Sequence, residues 1–298
     1  MRILITGGFG YLGTRFIEKF GNEHELITFV KNKQTDNQIV KNVKIEEGRL
    51  EDNKTSEIIK KYKPDVVIHL ASLTGLKKCE ENPHEAFTFN VFGSYNIIKT
   101  CLETKSKLVF TSSREVYGNT VKEFSSENDS LAPKNVYGIT KMLVEGLIQN
   151  YNSLGLNYTI LRITNVIGPG LHGKGLNLMI KDAVQNKRVQ INGGEQIVNV
   201  IFIDDVIDVL MQVCENESSL NQIFNVGSKD NLTISNFANK ISQFFDEKIR
   251  LNYMKRSNVE NSVFKPDITK LQQILKFSNT TIENGLEKTI AWYKKNLN

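Results

Sequence analysis

The segment that most constrains this chain is Thr6-Gly7-Gly8-Phe9-Gly10-Tyr11-Leu12-Gly13, at its N-terminal end. It follows directly on an aliphatic run, Arg2 to Thr6, and leads into a stretch with apolar residues at helical spacing. Gly8, Gly10 and Gly13 satisfy G-x-G-x-x-G in the strand–turn–helix setting that gives the pattern meaning. Glycines there permit a tight turn and let backbone amides approach a pyrophosphate. They also let the helix pack closely while its N-terminal dipole faces the anion. The bland alternative is a structural turn alone. On the functional reading, Gly7, Gly8, Phe9, Gly10, Tyr11, Leu12 and Gly13 contact a dinucleotide.

The pattern that follows fits a parallel sheet. Short runs at Arg2 to Thr6, Glu25 to Val30, Val43 to Glu46, Asp65 to Ala71, Lys107 to Ser112 and Tyr158 to Ile163 read as strands. Helical stretches near 11–20, 53–62, 84–104 and 136–154 are long enough to cross a sheet face between them. Residues 1–165 therefore read as an α/β, doubly wound parallel-sheet (Rossmann) domain that binds the dinucleotide. After Ile163 the alternation stops at a glycine-rich connection, Gly168 to Gly175, so 166–298 reads mainly as a smaller substrate-binding domain. The runs Val198 to Ile203 and Ile223 to Val226 look like strands that rejoin the first domain, which makes the boundary interleaved.

Composition narrows the function. Lys and Arg outnumber Asp and Glu by 38 to 33, an excess spread along the chain, which argues against a nucleic-acid surface and suits a small anionic ligand. Cys79, Cys101 and Cys214 are odd in number and lack metal-ligand spacing, which reads as a reduced cytoplasm and no metal site. No apolar stretch approaches the ~20 residues of a membrane span.

A second chemical signal is Tyr137-Gly138-Ile139-Thr140-Lys141, with Thr111-Ser112-Ser113 ending an apolar strand upstream. Tyr137 and Lys141 share one helix face, so the ammonium is expected to favour the ionised phenol. A phenol titrates near ~10 unaided, so base catalysis near neutrality needs such help. Alone, a Tyr/Lys pair at this spacing is usually a surface accident. The glycine loop and the serines give it weight.

With these pieces in view, the chain resembles the extended short-chain dehydrogenase/reductase family, the NAD-dependent epimerases and dehydratases of nucleotide sugars. The resemblance runs through the glycine loop, Val67-Ile68-His69-Leu70-Ala71, Asn90-Val91-Phe92-Gly93, Ser112-Ser113-Arg114-Glu115-Val116-Tyr117-Gly118, Tyr137 to Lys141, Arg162 to Pro169, and Asp204-Asp205-Val206. It implies Tyr137 as acid/base at a sugar hydroxyl, Lys141 on the nicotinamide ribose, and Ser113 bonding the reacting oxygen. Asn90 would support the lysine through the helix it occupies, and Leu50, Leu70 and Ala71 would line the cofactor. Ser112 fits a capped strand end better. Glu115 stands where family dehydratases and decarboxylases carry an acidic residue, so it is a candidate second base, although Arg114 replaces the Asp that dehydratases tend to carry.

On the substrate side, Asn165 resembles the residue that binds substrate phosphate, and Arg256 lies close to a family arginine serving the diphosphate. The other such arginine is replaced by Val198, for which Lys174, Lys187 or Arg188 could compensate. Where dinucleotide domains that use NAD carry an acidic residue, about 20 residues beyond the loop, this chain has Val30 followed by Lys31-Asn32-Lys33. Lys31 and Asn32 are therefore expected at a 2′-phosphate, with Arg49 adding positive charge. NADP(H) is favoured and NAD(H) possible; the bland alternative is a solvated basic loop.

The implied partner is a nucleoside-diphosphate sugar, in a homodimeric enzyme. Reaction at C4 of the hexose has three outcomes on this machinery: 4-ketoreductase, the first choice, then 4-epimerase, then 4,6-dehydratase. A protein of another class, a non-catalytic dinucleotide sensor, would keep the fold and lose the chemistry. The intact Ser113, Tyr137 and Lys141 argue against it.

Overall fold

The computed structural model describes residues 1–30, 43–119, 123–170, 175–255 and 263–297. Its first part alternates strands and helices: β1 (Arg2–Thr6), α1 (Tyr11–Phe20), β2 (Glu25–Val30), β3 (Val43–Glu47), α2 (Asn53–Tyr62) and β4 (Val66–His69). Then come α3 (Leu76–Glu81), α4 (Pro83–Phe87), a π-helical turn (Thr88–Phe92), α5 (Gly93–Thr104), β5 (Lys107–Ser113), α6 (Val136–Asn152) and β6 (Tyr158–Ile163). The rest is β7 (Asn165–Ile167), α7 (Gly175–Asn186), β8 (Arg188–Asn192), β9 (Ile197–Phe202), α8 (Ile203–Glu215) and β10 (Gln222–Val226). It closes with β11 (Asn231–Thr233), α9 (Ile234–Ser242), β12 (Arg250–Met254), α10 (Thr269–Ile274) and α11 (Ile282–Asn296).

A seven-stranded sheet runs β10-β6-β5-β4-β1-β2-β3, every pair parallel. Val66–His69 and Tyr158–Ile163 are buried along their whole length, as strands covered by helices on both faces must be. Strand order reverses between β1 and β4, and ligands of such sheets bind in the crevice beyond the carboxyl ends at that switch point. The glycine loop opens there.

Two expectations need correction. The run Val198 to Ile203 does not rejoin the main sheet: β9 lies in a three-stranded sheet between β7 and β11. The edge beside β6 is taken by β10, through Ile223↔Ile160 and Val226↔Ile163, so β9 pairs instead with the strand that continues from β6. The helix expected over 84–104 starts at Pro83 and is interrupted by the π turn at 88–92. A residue accommodated by a π turn shifts the helix face, which matters for Asn90 below. No helix among the described residues is long and apolar enough to cross a membrane.

Candidate active site

The loop after β1 is built from close backbone contacts. Gly7 adopts φ +72°, and Gly10 N–H closes the turn on Gly7 O at 2.9 Å. A Cβ on Gly13 would lie 2.3 Å from Gly7 O and 2.6 Å from Gly8 Cα; one on Gly8 would lie 2.3 Å from Thr28 Oγ1. That hydroxyl accepts from Gly8 N at 3.2 Å and donates to Ile5 O at 2.8 Å, tying loop to strand. Gly10 caps α1 without a side-chain bond, so the first amides of the helix have no acceptor within it. This cradle fits a dinucleotide pyrophosphate.

Around the loop, Leu70 N–H donates to Thr6 O and Ala71 N–H to Thr6 Oγ1, and Ala71 packs against Gly7. Leu50 is buried against Gly93, and Phe9 and Leu12 are half-buried. Tyr11 turns its phenol toward Gly168; burial raises that phenol's pKa. His69 bridges Thr6 (2.7 Å) and Ser94 (2.8 Å), and burial lowers it to about 3, so it is a neutral strut.

Ser113 ends β5, and Tyr137 and Lys141 lie on the first turns of α6, whose N-cap Asn135 accepts from Gly138 N–H at 2.8 Å. The structure brings all three together. Tyr137's phenol is pushed up by burial and by the nearby Glu115 and Cys79, while hydrogen bonds from the Ser113 and Ser72 hydroxyls favour its ionised form. Lys141 is 3% exposed; its ammonium donates to Thr111 O at 2.8 Å and sits 4.7 Å above the Phe110 ring. Burial lowers it to about 7. The expectation that Lys141 lowers the phenol is therefore corrected. Its ammonium is spent on a backbone carbonyl, 5.7 Å from the Tyr137 ring centre, and burial dominates the phenol.

A profile of the NAD-dependent epimerase/dehydratase family matches residues 3–227. The chain belongs to that family. A UDP-N-acetyl-α-D-glucosaminuronate decarboxylase of Bacillus cytotoxicus is 29% identical over 99% of this chain and 98% of its own. The UDP-glucose 4-epimerase of Thermotoga maritima, solved with UDP-glucose, superposes with a TM-score of 0.92 at 25% identity, each chain covered fully (100%). The Thermus thermophilus UDP-glucose 4-epimerase, solved with NAD, shares the fold with a TM-score of 0.91 at 21% identity, covering 99% of this chain and 100% of its own. The chain is thus an enzyme of the epimerase/dehydratase family, with that family's dinucleotide fold.

Asn135, Glu145 and Asn225 were missed by sequence reasoning, and they tie together residues it did name. Asn135, besides capping α6, donates its Nδ2 to Glu115 Oε2 at 2.7 Å; its cap-type residue just before Val136-Tyr137 was the available signal. Glu115 is 5% exposed, and its other oxygen pairs with Arg114 Nη2 at 3.0 Å. Ser112 donates to Glu145, which forms a buried pair with Arg162 at 2.7 Å. Arg162 also donates to Tyr117 Oη at 2.8 Å, and Tyr117 donates to Asn225 at 2.7 Å, so this network locks β5, β6, α6 and β10 together. Asn90, in the π turn, accepts from Leu73 N–H at 2.7 Å and donates to Thr140 Oγ1 at 3.1 Å. It reaches the lysine helix through Thr140, not through Lys141 itself.

On the substrate side, Asn165 is half-buried and donates to Asn199 O at 2.9 Å. Val198 is buried within β9. Lys187 and Arg188 form surface pairs with Glu247 (3.7 Å) and Asp182 (3.3 Å). Lys31, Asn32, Lys33, Lys174 and Arg256 lie outside the described residues.

Proposed function

We propose that the chain is a dinucleotide-dependent 4-epimerase of a nucleoside-diphosphate hexose. The observation that carries this reading is the convergence of Ser113, Tyr137 and Lys141 on the sheet edge where the glycine cradle lies. A bound NAD(P) supplies hydride acceptance and return at C4. Tyr137 is placed to take the C4 hydroxyl proton and give it back. Its raised pKa keeps it protonated at rest, and the Ser113 and Ser72 hydroxyls stabilise the phenolate as it forms. Lys141, drawn down to about 7, can gain or lose a proton near neutrality beside that phenol.

Glu115 bears on the choice among outcomes. Its two oxygens are engaged by Arg114 and Asn135, so elimination of water through Glu115 would first require one of those contacts to open. The likeness to the Thermotoga enzyme also supports epimerisation. A 4-ketoreductase is the second reading, favoured by the basic Lys31-Asn32-Lys33 after β2, which suits NADP(H). The homodimer implied by the resemblance would use the α5–α6 face, where Phe92, Tyr95 and Leu143 are exposed.

The test is a panel of UDP- and dTDP-hexoses followed by NMR with cofactor absorbance. Inversion at C4 without net cofactor consumption is expected. Stoichiometric NADPH oxidation would establish the reductase instead, and a 4-keto-6-deoxy product the dehydratase.

A further inference from the structure

Ser113 and Tyr137 stand on separate segments, and one side chain joins the two. Ser113 ends β5 and leads into the 3₁₀ turn Arg114–Val116, whereas Tyr137 lies in the first turn of α6. Asn135, 2% exposed, caps α6 by accepting from Gly138 N–H at 2.8 Å, and its Nδ2 donates to Glu115 Oε2 at 2.7 Å. The two bonds have opposite polarity, so together they fix which way the amide faces. Glu115 in turn holds the Ser113 side. Its backbone N–H donates to Ser113 Oγ at 3.2 Å, and its Oε1 pairs with Arg114 at 3.0 Å. Its carbonyl lies so near α6 that a Cβ on Gly138 would come within 2.6 Å of the oxygen. At α9 and α11 the caps are threonines, Thr233 and Thr281, each accepting from its own helix. An asparagine caps at least as well and keeps two N–H donors for another segment.

We propose that Asn135 is a positioning residue, whose amide couples Glu115 to α6 and so holds Tyr137 at its working distance from Ser113. This rests on the role given to Tyr137 above. The cap by itself steadies only the helix. The bond from Asn135 to Glu115 fixes that helix against the turn that carries Ser113, and Glu115 is the other half of the same device. The Gly138 contact sets how near the two backbones come, and the Asn135 bond sets the angle at which they meet. Proton transfer needs its groups within hydrogen-bond reach, and a displacement of about 1 Å costs up to ~10²-fold in rate.

Serine, aspartate and asparagine cap helices about equally, so substitutions at position 135 separate the cap from the link. Asn135→Ser keeps an acceptor for Gly138 but is too short to reach Glu115. Asn135→Asp keeps the cap and turns a carboxylate toward Glu115. On the nucleotide hexose that wild type converts, each is expected to lower kcat by roughly 10-fold or more. KM, dinucleotide affinity and circular dichroism should stay as in wild type. The third variant reverses the bond: Asn135→Asp combined with Glu115→Gln puts the donor at position 115 and the acceptor at position 135, with the net charge of the pair unchanged. It should recover most of the lost kcat, which a base at position 115 would forbid. Wild-type kcat in Asn135→Ser, as a cap alone predicts, would overturn the proposal. So would a double variant no faster than Glu115→Gln alone. If Asn135→Asp fails to fold, Asn135→Ser and the double variant carry the test. The product is identified separately by NMR. A reduced or dehydrated product removes the epimerase reading while the kcat series still decides this proposal; inversion at C4 with an unchanged Asn135→Ser rate does the reverse. A wild type that converts no nucleotide sugar would overturn both.

Discussion

The proposed cofactor end and the proposed sugar end of this site share one edge of a sheet but are made from different materials. At the cofactor end, the backbone supplies the geometry: Gly8 and Gly13 sit where a Cβ would come within 2.3 Å of a neighbour, and the amides that open α1 are left without side-chain caps. At the sugar end, side chains from distant segments supply it. Asn165 leans on Asn199 of a separate small sheet, and Glu115 is held between Arg114 and Asn135. A backbone cradle tolerates change everywhere except at its glycines. A side-chain site can be retuned residue by residue, which is where members of one family can diverge in substrate.

The largest effect should come where the two ends meet. Tyr137→Phe keeps the ring and removes the proton carrier, so turnover is expected to fall ~10²-fold or more while dinucleotide affinity, measured by fluorescence titration, stays unchanged. Near-normal turnover would show that the proton moves elsewhere and that the meeting point is misplaced.

The comparison itself is broken or sharpened by a paired experiment. Gly13→Ala places a methyl against backbone atoms that cannot swing away, so dinucleotide binding should weaken by ~10-fold or more, with instability of the order expected for overpacking. Asn165→Ala should weaken nucleotide-sugar binding by ~5-fold, the loss of about one hydrogen bond, and leave the dinucleotide alone. If each variant affected both ligands equally, the two ends would be one cooperative unit and the division would fail.

How much of this was legible in the sequence follows the same division. The glycine loop and the Tyr137–Lys141 spacing are local patterns, and the seven-stranded sheet follows from alternation of short runs and helices. Contacts between distant segments left no local trace: Glu145 with Arg162, Tyr117 with Asn225, Glu115 with Asn135. The π turn that carries Asn90 reads as ordinary helix, because its apolar spacing is nearly that of an α-helix. The i,i+4 rule predicted that Lys141 and Tyr137 would be neighbours, but not that the ammonium would take the Thr111 carbonyl. Nor could spacing show that burial would outweigh charge at the phenol.

That burial leads to the smallest of the expected effects, on stability rather than rate. Lys141 holds a proton at its ordinary value of 10.5 when unfolded, but only below about 7 in the folded protein. Between those values the unfolded chain binds more protons than the folded one, so the lysine's contribution to stability rises with pH through this window and is at its lowest below about 7. Lys141→Met removes the ionisable group and keeps most of the apolar stem, at the cost of leaving the Thr111 carbonyl without its donor. The two terms oppose, so the variant is expected to be more stable than wild type near neutrality by only about 1 kcal/mol. The advantage should shrink and then reverse as pH rises toward 10.5, because the neutral amine of wild type still bonds Thr111 without a buried charge. Urea unfolding across that window measures it. A stability difference that does not change with pH would mean that Lys141 keeps its charge in the folded protein, and that the site lowers the lysine far less than its burial implies.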